Sequence, residues 1–152
     1  PSMFPDGSVF APFTIPSGTV DGRATLTMTF SAAGDSANLS LVFDLTYDRG
    51  ASFIQVAGDY ALNLSGDLGT LTIGPQGGLA GLMLSGCIFS GQVQIFDPLA
   101  NAYDVSFSLS NCGLLDGSYD GLGMTDANVL VDDTFNFTVS NSTNGLVGSA
   151  VR

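Results

Sequence analysis

The 152-residue sequence contains no histidine, lysine, glutamate or tryptophan. Without histidine or lysine, and with only two cysteines, it lacks the partners that nucleophile–base catalysis needs. Neither Asp-Thr-Gly nor Asp-Ser-Gly occurs, and there is no indole to stack on a sugar, so the usual aspartyl chemistries have no signature either. The cations are Arg23, Arg49 and Arg152 alone. Phosphate recognition needs clustered Lys or Arg, so nucleic acid is excluded as a partner. A net charge of −11 also disfavours anionic membrane surfaces. No apolar run reaches the roughly 18 residues of a membrane-crossing helix, so no transmembrane segment is expected. These absences argue against an enzyme, and nothing calls for a cofactor.

Losing Glu and Lys also removes two of the best surface helix formers. What replaces them is 20 Gly, with abundant Ser, Thr and Asn, and 14 acidic residues that are all Asp. Such residues favour turns and strand faces. Only 11% of the residues are charged, while the mean hydropathy is +0.36. Soluble domains usually carry about 25% charged residues. The surface must therefore be covered by hydroxyls and amides, or be buried against something else.

Period-two alternation marks the strands. Ala24, Leu26, Met28 and Phe30 alternate with Thr25, Thr27 and Thr29, and Leu39, Leu41, Phe43, Leu45 and Tyr47 alternate with polar residues. Ile54, Val56, Tyr60, Leu62 and Leu64 suggest a long third strand with a bulge at Gly58. Leu71 and Ile73 precede the breaker Gly74-Pro75-Gln76-Gly77-Gly78, while Phe135, Phe137 and Val139 mark a late strand. About nine or ten short strands at this spacing predict an all-β fold, an antiparallel β-sandwich or barrel-like jelly roll. Residues 23–152 read as a single β-domain, and residues 1–22 as an extended arm. The expected core comprises Leu26, Met28, Phe30, Leu41, Phe43, Leu45, Phe107, Leu109, Phe135 and Phe137.

The stretch from Cys87 to Cys112 reads as a hairpin, with Asp97, Pro98 and Asn101 in its turn. The only two cysteines close its open end and predict a disulfide, which implies an oxidising compartment. Pairing Ile95 with Val105 leaves the cysteines one residue out of register, and a bulge at Ser90-Gly91 would reconcile them. For a closed loop of this length the bridge should contribute roughly 3–3.5 kcal/mol.

The arm carries Pro5, Pro12 and Pro16 around an apolar patch, Val9, Phe10, Phe13 and Ile15. Proline forfeits ladder bonds, so this segment belongs at a sheet edge. Asp116, Asp120, Asp126, Asp132 and Asp133 crowd one stretch and form a candidate cation site, although their spacing matches no known calcium loop. Four Asn-x-Ser/Thr sequons occur, at Asn38, Asn63, Asn136 and Asn141; Asn141, in an expected turn, is the best acceptor for a glycan.

A lysine-free, hydroxyl-rich β-domain with one disulfide and an extended arm resembles extracellular fibre subunits of the pilin kind. The resemblance lies in composition and layout. It implies an extracellular or cell-surface protein with its leader removed, whose terminal strand completes the sheet of a neighbouring copy. An apolar segment that cannot fold alone must add to some sheet edge, and head-to-tail exchange of such a strand builds an open filament. The expectation is therefore a structural subunit that self-associates through Val9, Phe10, Phe13 and Ile15. The alternative is a stand-alone secreted or lipid-anchored bacterial surface domain that binds a ligand or host protein.

Overall fold

The structure is a computed structural model that describes residues 14–21, 25–32, 35–42, 45–128 and 131–152. The fold is all-β. The chain divides into two compact units between Leu45 and Thr46.

The first unit is an antiparallel sheet of β1 (Thr14–Asp21), β2 (Thr25–Ala32) and β3 (Asp35–Val42), in that order. Its two faces follow from alternation. Leu26 pairs with Leu41 and Met28 with Leu39, whereas Thr29 pairs with Asn38 and Thr19 with Thr27. The Thr19 and Thr27 hydroxyls lie 2.8 Å apart, and Thr29 Oγ1 donates to Asn38 Oδ1 at 2.9 Å. As its proline requires, β1 is an edge strand, and its ladder slips between Thr14 and Ser17, around Pro16.

A 3-10 turn at Leu45–Arg49 spans the boundary, and the second unit continues with a single helical turn, α1 (Phe53–Val56). Eight strands follow. They are β4 (Gly58–Leu64), β5 (Asp67–Ile73), β6 (Gly78–Met83), β7 (Ile88–Ile95), β8 (Tyr103–Ser110), β9 (Gly117–Asn128), β10 (Val131–Ser140) and β11 (Gly145–Val151). Each pairs antiparallel with the next, and β11 closes on β4 through pairs from Gly148–Leu64 to Val151–Ala61. The result is a closed up-and-down barrel. The expected antiparallel all-β architecture is present in a barrel form, in which strands neighbouring in sequence are neighbours in space and no Greek-key crossing occurs among the described strands.

An eight-stranded barrel has an interior just wide enough for side chains to fill, and this one is filled. Tyr60, Leu62, Leu71, Phe89, Val105, Phe107, Tyr119, Phe135 and Phe137 are all buried in it. Their ring centroids form a chain of contacts at 5.5–5.9 Å. The space comes from inward-facing glycines. A Cβ at Gly148 would fall on the Phe137 ring, and one at Gly81 on the Phe89 ring.

Of the expected core, Phe107, Leu109, Phe135 and Phe137 are buried. Leu41 is 47% exposed and Leu45 is also exposed, while Leu26 and Met28 are half-buried. Leu45 lies in a 3-10 turn, where strand alternation lapses. Leu26, Met28 and Leu41 share one face of the three-stranded sheet. The side chains of Phe30 and Phe43 lie outside the described set.

The long third strand is likewise corrected. Ser52 N-caps α1, with its Oγ accepting from Gln55 N–H at 3.4 Å and donating to Gln55 Oε1 at 2.9 Å. Ser-x-x-Gln is a capping-box signature that alternation concealed.

The Cys87–Cys112 disulfide forms as expected, with Cα atoms 4.6 Å apart, inside the usual window of about 4.4–6.8 Å. The register does not match. Val93 pairs with Val105 and Ile95 with Tyr103, in an unbroken ladder with no bulge at Ser90-Gly91. Asn111, at φ 61°, turns the chain just beyond the ladder and swings Cys112 back to its partner. The mismatch is absorbed outside the sheet.

Candidate functional site

With the interior packed, the surfaces available for function on the barrel are its ends and outer walls. At one end, buried tyrosines pin the incoming chain. Tyr103 Oη bonds both the carbonyl and the N–H of Ser52 at 3.1 Å, and Tyr60 Oη donates to the Val56 carbonyl at 2.7 Å. Arg152 donates to the Ala57 and Gln55 carbonyls and lies 5.1 Å from the Tyr60 ring centroid. At the other end Tyr119 Oη donates to the Leu115 carbonyl at 2.9 Å. Buried phenols need such partners, and no described buried side-chain polar atom lacks one.

The expected turn at Asp97, Pro98 and Asn101 is present, but Asn101 does more than turn the chain. It is buried, its Nδ2 donates to the Thr125 carbonyl at 2.6 Å, and its Oδ1 accepts from the Thr125 N–H and hydroxyl at 3.1 and 2.8 Å. It thus ties the β7–β8 loop to β9. Asn101→Ala should cost about 1–3 kcal/mol by orphaning buried groups, measurable as a lower urea midpoint. A shift equivalent to less than about 0.5 kcal/mol would mean that the bonds contribute nothing net.

The outer wall is largely polar. Gln92, Ser106, Asp120 and Ser140 form one transverse row, and Ser90, Ser108 and Ser118 another. A polar exterior around an apolar interior reverses the arrangement of membrane-spanning barrels. No helix among the described residues is long and apolar enough to cross a membrane.

Two apolar areas interrupt this wall. Leu68, Leu82, Leu84 and Ile88 project from β5 to β7, with Leu82 paired to Ile88 and the Leu84 N–H bonded to the Leu68 carbonyl at 2.7 Å. Across β9 to β11, a groove of about 450 Å3 runs between Leu122 and Met124 on one side and Val147 on the other. Thr138 and Gly148 contribute to its lining, and Tyr47 and Asn101 flank it. Neither area was legible in the sequence, since each depends on the register between successive strands, which alternation alone does not set.

The other expected site residues are scattered. Val9, Phe10 and Phe13 lie outside the described residues; Ile15 lies on β1, with its side chain undescribed. Asp116 Oδ1 accepts the Cys112 N–H at 2.7 Å, which secures the turn after the disulfide. Asp120 and Asp126 share the outward face of β9. Six residues of strand separate them by about 20 Å, too far for one cation to bridge. Asp132 and Asp133 lie on β10, and their side chains are undescribed. No group of three or more potential metal ligands occurs among the described residues.

Among the sequons, Asn38 and Asn63 are exposed on strands, and Asn136 lines the groove. Asn141 Oδ1 accepts from the Thr143 and Asn144 N–H groups at 2.8 and 2.7 Å, holding the β10–β11 turn. Compared with family models, curated proteins and solved structures, the chain matches none.

Proposed function

We propose that this protein is a structural subunit of an extracellular filament or surface assembly, joined through its N-terminal strand to a neighbouring copy. The observation that carries the reading is the three-stranded sheet of the first unit. Its outer strands, β1 and β3, each have only β2 beside them among the described residues, and it places Leu26, Met28, Leu39 and Leu41 on one face. Leu41 is 47% exposed and Val42 78%. Open edges are what strand addition uses, and Leu41 on one face and Val42 on the other add exposed apolar surface beside β3's edge.

β1 pairs with its own β2 here, so joining by this strand means exchanging one hairpin partner for an identical one in the next copy. Such exchange is a low-cost route to assembly. The disulfide supports an oxidising, extracellular setting. The packed barrel supports a structural role over small-molecule binding, because the customary ligand space is filled by side chains.

Deleting residues 1–20 should leave a folded, disulfide-bonded barrel that no longer forms filaments, and a peptide spanning those residues should stabilise it. Negative-stain microscopy and circular dichroism read both outcomes. Filaments from the truncated chain, or an intact chain that stays monomeric, would overturn the reading in favour of the stand-alone surface domain.

A further inference from the structure

Round the closed order β10-β11-β4-β5-β6-β7-β8-β9, β6 stands four strands from β10 in either direction. The two apolar areas therefore occupy opposite walls of the barrel. The one centred on β6 is a ridge, where Leu82 and Leu84 are 53% and 82% exposed between Leu68 and Ile88. The one centred on β10 is a groove, where Leu122 and Val147 are 61% and 62% exposed.

No outward-facing residue of β5, β6 or β7 is ionisable, and the groove is lined by no carboxylate. In a chain of net charge −11, these are the walls on which another copy can settle without opposing Asp to Asp.

We propose that the ridge of one copy seats in the groove of the next. This inference rests on the assembly reading above and adds to it a second joint, independent of strand exchange. Ridge and groove are different surfaces, so the contact is heterologous. An isologous pairing of ridge on ridge would leave the groove open and stop at a dimer. Placed on opposite walls, the two surfaces let each added copy expose a fresh ridge or groove, and the row continues. Salt should strengthen the joint, because screening reduces repulsion between the acidic copies while the apolar contact persists.

The test uses the full chain in two variants, Leu82→Asp on the ridge and Val147→Asp in the groove. Each keeps one good surface, so neither builds this joint with itself, but the mixture does. The two variants differ in mass, and native mass spectrometry therefore separates the mixed dimer from both homodimers. The expected result is a mixed dimer at least tenfold more abundant than either homodimer.

A statistical mixture, together with filaments of wild-type morphology from each variant, would overturn the ridge–groove joint and leave the assembly reading standing. A wild-type chain that is monomeric at every concentration would overturn both. If either substitution unfolds the barrel, Leu84→Asp and Leu122→Glu on the same surfaces, which also differ in mass, give the same comparison. Equal homodimer and mixed-dimer yields with that pair would likewise overturn the joint.

Discussion

Phe107→Ala is expected to lower the unfolding free energy by about 3–5 kcal/mol, the range for removing a large aromatic side chain from a core. Phe107 is buried at the centre of the barrel, with ring centroids of Phe89, Tyr119 and Phe137 at 5.5, 5.8 and 5.9 Å. Its neighbours cannot collapse into the vacated space, because each is held on a separate strand of a closed ladder. Gly91, opposite Phe107 in the register, has no side chain with which to fill it. Urea denaturation with an unchanged m-value would measure the loss directly. A change below about 1 kcal/mol would mean that the barrel wall relaxes inward, against the packing described here.

Replacing Cys87 and Cys112 together by alanine should cost about 3–3.5 kcal/mol, mostly through greater freedom of the unfolded chain. The bridge closes a separation of 25 residues at the end of the barrel where β7 begins and β8 ends. The β7–β8 ladder is continuous without it, so the variant should keep its fold and its circular dichroism while its midpoint falls. Because the bridge constrains chiefly the unfolded chain, the m-value should rise as that chain expands. Loss of the β-spectrum at room temperature would show that the disulfide is needed for the fold itself.

Much of this architecture was open to reading from residue order. Strict alternation in Thr25–Phe30, Tyr103–Ser110 and Phe135–Val139 identified strands because side chains on a pleated strand repeat every two residues. Asp97-Pro98 marked its turn through local chemistry, and the pairing of the only two cysteines needed nothing more. The arm's prolines correctly placed β1 at an edge, since an edge is where a missing N–H is tolerated.

Alternation misled where a shift of two residues was at stake. The expected pairing of Ile95 with Val105 and the observed pairing of Val93 with Val105 keep every side chain on the same face. Only a slip of one residue reverses the faces, so periodicity alone cannot choose between registers two apart. In the observed register β7 and β8 approach closely at Gly91, where a Cβ would collide with the backbone of Ser106 and Phe107. Past Phe43, the apolar alternation ran on through Leu45 and Tyr47 into a turn, because period two says nothing of where a strand ends.

By itself, then, the sequence determined an all-β chain with a disulfide hairpin and an edge strand at β1. Each of these rests on local periodicity or on which side chains exist at all. Closure of the barrel was decided only by tertiary structure. Gly148 meets Leu64 across 84 positions of chain, and no local signal specifies a contact of that range. The ridge and groove need only successive hairpins, β5 to β7 and β9 to β11, but closure of the sheet sets them on opposite walls.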